Sequence, residues 1–324
     1  MNHVLDITND HIKASFMALG ATWLSCQVRI GGGWREVILG HADLALYQQK
    51  GPYFGATVGR FANRIAGGTF SIDGQHYQVD QNEAPNTLHG GRGGFSHQPW
   101  RVVEHTPTSL RFAIDSPDGD QGFPGHLHAE VEYCLSGAAI DIIYHATTDA
   151  PCPVGLTNHA YFNLDAEHDD ISQHRLQLAA TQVLEVDMAL IPTGALLPVG
   201  GTAFDLNTPR RLAEVLSHRE LQATQGYDHA LVLEGSGFRH VGRLTASDES
   251  LAMDIHTDQP SIQLYSGNGL EGIKGRNGPY RAYAGYAIET QGYPDSPNHA
   301  HFPNCILRPS EQYQHRTRYA FKTP

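Results

Sequence analysis

The feature that most constrains this chain is a strict alternation of apolar and polar residues over 126–135. Leu127, Ala129, Val131, Tyr133 and Leu135 fall on one face of an extended segment, and His128, Glu130 and Glu132 on the other. A period of two belongs to a strand with one face buried and one in water. Ser136-Gly137 supplies a turn, after which Ile140, Ile142 and Tyr144 resume the phase, so a hairpin is expected. A second hairpin is expected over 69–79, turning at Asp73-Gly74, because Asp-Gly accepts the positive φ of a type I′ turn.

Helical signals are few. The best is 209–222, with Thr208 as N-cap and Pro209 at the first helical position. A short helix is also expected over 43–49. No Gly-rich phosphate loop joins a strand to a helix. Short strands separated by turns imply an all-β fold, a large antiparallel β-sandwich with few short helices. Without internal repeats, low-complexity tracts or linker-like shifts in composition, residues 1–324 read as one domain.

The formal charge is −12, from 34 acidic and 22 basic residues with histidine neutral. Such a chain repels phosphate backbones, so nucleic acid is not an expected partner. The cysteines, Cys26, Cys134, Cys152 and Cys305, are scattered and form no Cys-x-x-Cys pair, so neither a metal cluster nor a redox motif is indicated. Residues 1–10 lack a basic stretch followed by an apolar run, and no segment has the apolar length of a membrane span. A cytoplasmic protein without a membrane partner is the expectation.

Five segments mix glycine, asparagine and ionisable residues with aromatic ones. They are Gly59-Arg60-Phe61-Ala62-Asn63-Arg64-Ile65, Asn86-Thr87-Leu88-His89-Gly90-Gly91, 156–164 with Asn158-His159-Ala160-Tyr161, Gly226-Tyr227-Asp228-His229, and Ile288-Glu289-Thr290-Gln291. Each has an ordinary structural reading, since Asn and His often bond loop backbone and a strand glutamate often faces water. His159 and Tyr161 share a face if extended. His126-x-His128 and His299-x-His301 each put two imidazoles on one strand face, but no third ligand stands at metal-site spacing, and solvated histidine is the simpler reading.

Together these segments resemble the aldose 1-epimerase (galactose mutarotase) family, over nearly the whole chain and in the same order. The resemblance also takes in Tyr53-Phe54-Gly55-Ala56, Phe123-Pro124-Gly125, Ile191-Pro192-Thr193-Gly194, Gly201-Thr202-Ala203-Phe204-Asp205-Leu206 and Leu307-Arg308-Pro309. It implies a galactose mutarotase-like supersandwich with an open cleft. It also implies an isomerase that interconverts the α and β anomers of a free hexose, glucose or galactose, without cofactor or metal. By motif position His159 matches the general acid, in protonated form, and Glu289 the general base. His89 matches a second active-site histidine, and Asn63, Arg64, Asp228 and Gln263 match positions that hold sugar hydroxyls, with Tyr161 in the same binding segment. One departure stands out: where many members carry an aromatic residue after Gly-Asn, Tyr265-Ser266-Gly267-Asn268 is followed here by Gly269-Leu270.

Three other readings stay open. A hexose-6-phosphate epimerase would want an extra cationic cluster, for which Arg210-Arg211 and Arg316-x-Arg318 are candidates. A non-catalytic sugar-binding protein would not need both His159 and Glu289. A polysaccharide-binding or lyase module would need a long aromatic groove.

Overall fold

The computed structural model describes residues 3–49, 51–166 and 169–324. The alternating segment forms the strand Leu127–Ser136, in which Leu127, Ala129, Val131, Tyr133 and Leu135 are buried. Its partner Ala139–Thr148 follows through a tight turn with Gly137 at φ 58°, and Ser136 opposes Ala139. The strands belong to a nine-stranded antiparallel sheet, ordered Arg101–His105, Ser109–Ser116, Leu127–Ser136, Ala139–Thr148, Tyr313–Lys322, Ala252–Thr257, Arg239–Thr245, Arg175–Leu178, Arg210–Arg211. The second expected hairpin pairs Thr69–Ile72 with Gln75–Gln78, and Asp73 (φ 51°) with Gly74 (φ 84°) makes the type I′ turn.

A six-stranded antiparallel sheet packs against the large one, in the order Tyr161–Phe162, Tyr286–Gln291, Ser261–Tyr265, Asp228–Leu233, Ala180–Val186, Pro192–Pro198. The inner faces share one apolar cluster, with Leu231, Ile262, Leu264 and Ile288 from the smaller sheet and Leu176, Leu244, Met253, Ile255 and Phe321 from the larger. The Tyr319 hydroxyl crosses the layer to donate to the Ile288 carbonyl at 2.9 Å. A four-stranded sheet, Val4–Thr8 to Gly33–Glu36, adds Ile12, Phe16, Trp23 and Val28 to this core. The all-β sandwich expected from the alternation is the fold observed.

The continuous helix expected over 209–222 does not form. Arg210–Arg211 pair as a strand with Arg175 and Leu176, so the chain is extended where a first helical turn was expected. Only Leu212–Val215 is α-helical, capped by Arg211 rather than Thr208, and Arg219–Leu221 is a single 3-10 turn. Over 43–49 the helix is a 3-10 turn, Leu44–Gln48, with the Asp43 side chain accepting from the Ala45 amide. Among the described residues no helix is long and apolar enough to cross a membrane.

Tyr133 connects core to site. Its hydroxyl donates to the Ala21 carbonyl at 2.8 Å and accepts from the Asn158 amide at 3.2 Å, one residue before His159. Tyr133→Phe strands both buried partners and is expected to cost about 1–3 kcal/mol, read as a lower urea midpoint at unchanged slope.

Candidate active site

Strand register assembles the floor of the site. Glu289 stands opposite Gln263, Gln263 opposite Ala230, Asp228 opposite Tyr265, and Tyr161 opposite Ala287. Because side chains alternate and opposed residues share a face, Glu289, Gln263, Asp228, Tyr265 and Tyr161 all project from the outer face of the six-stranded sheet. Their neighbours Ile262, Leu264 and Ile288 point into the core. The Gln263 amide donates to Asp228 Oδ1 at 2.7 Å.

Loops build the opposite wall. Arg64 pairs with Leu88 across a two-residue ladder. Asn63 (φ 65°) and His89 (φ 51°) then lock to each other: the His89 amide donates to the Asn63 carbonyl at 3.0 Å, and the Asn63 amide donates to His89 Nδ1 at 3.1 Å. Gly90 has a steric requirement, since a Cβ there would lie 1.9 Å from the Gly59 carbonyl oxygen, at φ +84°. The Gly in Leu88-His89-Gly90 thus lets two loops touch backbone to backbone.

His159 is held from both directions along its chain. Its amide donates to the Ala56 carbonyl at 2.9 Å and its carbonyl accepts from the Gly55 amide at 3.0 Å. Asn158 donates to the Gly55 carbonyl at 2.8 Å, and Thr157 Oγ1 donates to the Thr290 carbonyl at 2.8 Å, tying this segment to the strand of Glu289. His159 Nε2 consequently lies 3.6 Å from Glu289 Oε1.

The structure brings all eight expected residues, Asn63, Arg64, His89, His159, Tyr161, Asp228, Gln263 and Glu289, to one open cleft of about 340 Å³. Sequence reasoning did not assign Tyr53 or Tyr265 to it, although both stand in the motifs quoted for the resemblance; both line it. The Tyr53 ring lies 5.7 Å from His159 and 4.8 Å from His89. At the departure, the Gly269 amide donates to the Tyr265 hydroxyl at 2.7 Å, and Leu270 turns into an apolar cluster with Leu39, Phe54 and Tyr161. Gly269, Leu270 and Ile273 line the cleft there, and the aromatic walls are Tyr53, Tyr161 and Tyr265.

Burial governs the electrostatics. It raises the Glu289 carboxyl well above its ordinary value, Asp228 adds to the rise and Arg64 opposes it. Burial likewise raises Asp228, against Arg64 and the Gln263 hydrogen bond. It pushes His159 down to about 4, and lowers His89 well below the usual imidazole range with help from His159, Arg64 and His97. A protonated His159 is the sequence expectation; the cost of burying an imidazolium works against it and favours the neutral ring.

His89, His159 and Glu289 set three donor atoms within 4.8 Å of one another, as a metal site would. The tautomer of His89 argues otherwise. With Nδ1 accepting from the Asn63 amide, the ring proton sits on Nε2, and a cation at Nε2 would require a ring stripped of both protons. The other histidine pairs are engaged elsewhere: His128 bonds Asp115 and Glu130, His299 lies 3.3 Å from Asp295, and His301 bonds the Gly194 carbonyl. The arginines considered for phosphate are also outside the cleft. Arg210 bonds the Thr202 carbonyl, Arg211 meets Glu214, and Arg316 and Arg318 both meet Asp141.

A β-supersandwich with a buried imidazole–carboxylate pair in a cleft of amide, guanidinium and carboxyl groups defines a carbohydrate-site architecture equipped for proton transfer. Residues 3–320 match the family model described as aldose 1-epimerase. The aldose 1-epimerase of Escherichia coli K12 is 41% identical over 321 residues, covering 97% of this chain and 93% of that protein. Human galactose mutarotase is 40% identical over 322 residues, covering 97% and 92%. A solved aldose epimerase homologue from C. elegans superposes with a TM-score of 0.93 at 32% identity, covering 99% of both chains. The chain belongs to the aldose 1-epimerase family.

Gly90→Ala is expected to destabilise the fold by about 2 kcal/mol or more, because it sets a Cβ against a carbonyl in a left-handed conformation. Urea unfolding reads the loss, and Gly137→Ala, at a turn where a Cβ meets nothing within 4 Å, provides the comparison for left-handed strain alone.

Proposed function

We propose that this chain is a mutarotase of unphosphorylated hexoses, glucose or galactose, with Glu289 as general base and His159 as general acid. The observation that carries the reading is the buried pair itself, an imidazole 3.6 Å from a carboxylate on the floor of an open polar cleft. Changing anomer requires the hemiacetal ring to open, turn about its C1–C2 bond and close on the other carbonyl face. Opening moves the C1 hydroxyl proton to a base and supplies a proton to the ring oxygen; closing reverses both. No electrons leave the sugar, so no redox cofactor is called for.

Burial raises Glu289 and lowers His159, so near neutrality the pair holds one proton between its two members. A sugar hydroxyl donating to Glu289 favours its ionised form, and the shared proton then resides on His159. That is the acid–base state ring opening needs. Asn63, Arg64, His89, Gln263, Asp228 and Tyr161 supply hydrogen bonds that hold the open aldehyde until it recloses, a positioning contribution. Finding none of the four candidate phosphate arginines in the cleft supports a neutral sugar over a hexose phosphate. The match over residues 3–320 supports treating 1–324 as one functional unit. Four unpaired cysteines support the cytoplasm as its setting.

Polarimetry of freshly dissolved α-D-glucose and α-D-galactose tests the reading against the spontaneous rate. Wild type is expected to accelerate equilibration with chelator present or absent. Glu289→Gln and His159→Asn are each expected to lose about 10²–10⁴-fold; a folded wild type that leaves both sugars at the spontaneous rate sinks the assignment.

The pH profile has a sign fixed by the pair. Below pH about 4 a second proton reaches His159, the base is lost and kcat/KM falls. On the alkaline side kcat/KM falls only above the ordinary carboxylate range, because the last proton is held by a carboxyl raised through burial. An alkaline limb at the usual carboxylate value would contradict the shared-proton state.

A further inference from the structure

Arg64 is the one permanently cationic side chain among the described residues lining the cleft. A guanidinium facing a ligand ordinarily attracts anions. Here one edge of its fork is already engaged. Nε donates to Glu83 Oε2 at 2.6 Å and Nη2 to Glu83 Oε1 at 2.9 Å. Glu83 does not line the cleft; it stands behind Arg64 on a turn closed by two backbone hydrogen bonds with Asn86, at 3.1 and 2.9 Å. Asn82 fixes that turn by bracketing the backbone of Leu88, accepting from its amide at 2.7 Å and donating to its carbonyl at 2.9 Å. Leu88 is the strand partner of Arg64. The two charges are therefore carried by one cross-linked ribbon. Into the cleft, Arg64 acts on Asp228 and Glu289, two further carboxyls.

We infer that Glu83 is a specificity-determining residue: by neutralising Arg64 from behind, it makes the cleft reject anionic sugars while leaving the remaining guanidinium N–H groups free to donate to neutral hydroxyls. The Arg64 side chain is 11% exposed and Glu83 39%, so the guanidinium is buried while its counter-charge reaches it from the solvent side through two hydrogen bonds. An anionic sugar entering the cleft meets no uncompensated cation and two carboxyl groups. A neutral hydroxyl asks only for a donor. Discrimination here is a cost imposed on the wrong ligand. The inference rests on the free-sugar reading of the cleft.

The test compares D-glucose with D-glucuronate, which differ at C6 and both mutarotate, using wild type, Glu83→Gln and Glu83→Asp. Wild type is expected to favour glucose in kcat/KM. Glu83→Gln is expected to narrow the glucose-to-glucuronate ratio about tenfold or more, because it uncovers Arg64. Glu83→Asp keeps the charge and is expected to keep the wild-type ratio even if KM for both sugars rises. A purely structural role for Glu83 would move both sugars together. Glu83→Ser serves in place of Glu83→Gln if the latter does not fold. The inference is overturned if a folded, glucose-active neutral variant retains the wild-type ratio, or if wild type uses glucuronate as well as glucose. Wild type inactive on glucose would instead overturn the epimerase reading, and this inference with it.

Discussion

Everything in the site depends on the hydrogen-bonded register between the strands Ser261–Tyr265 and Tyr286–Gln291. That ladder sets Glu289 opposite Gln263. Through the next ladder it also places Asp228 and Tyr265 on the same face. A slip of one residue would send Glu289 into the apolar layer and bring Ile288 into the cleft. The core enforces the register, because Ile262, Leu264 and Ile288 have a place only on the inner side. The hydrophobic effect that stabilises the sandwich thus also aims the carboxylate.

The walls add what a flat sheet face lacks, which is depth. Reciprocal bonding of Asn63 with His89, the close approach at Gly90 and the Thr157 bond to the Thr290 carbonyl close loops over a sheet face that would otherwise be wet. Once covered, both side chains of the pair are costly to charge, which raises Glu289 and lowers His159. Arg64 is buried in the same wall while Glu83 meets it from the solvent side, so the fold reaches the cleft's charge from behind as well as from within.

Much of this was legible in the sequence, for reasons that differ from residue to residue. Period-two alternation announces Leu127–Ser136 because one face of a sandwich strand must be apolar, and Asp73-Gly74 announces its turn because few residues accept two successive positive φ values. The helix over 209–222 failed because Thr208-Pro209 is a local signal, and Arg210–Arg211 answered a distant strand instead. The eight cleft residues were readable only through family resemblance, since they come from strands and loops far apart in the chain. The downward shift of His159 was not legible, because it follows from burial that no spacing reveals. Glu83 was not legible either. Nothing in its neighbourhood distinguishes it from a solvated loop acid until Arg64 is seen 2.6 Å away.

The shared proton has a kinetic corollary. In the proposed mechanism ring opening moves one proton onto Glu289 and one off His159, and reclosure undoes both. The pair is therefore self-resetting: each cycle returns it to its starting state with no exchange with bulk water. Nothing in the proton inventory obliges the cleft to open between the two half-reactions. What the catalyst must provide instead is swing room, space for the aldehyde to turn its other face while its remaining hydroxyls stay gripped. At Gly269 the cleft lining carries no side chain, and the Gly269 amide clamps Tyr265 beside it, so slack and grip sit side by side on that wall.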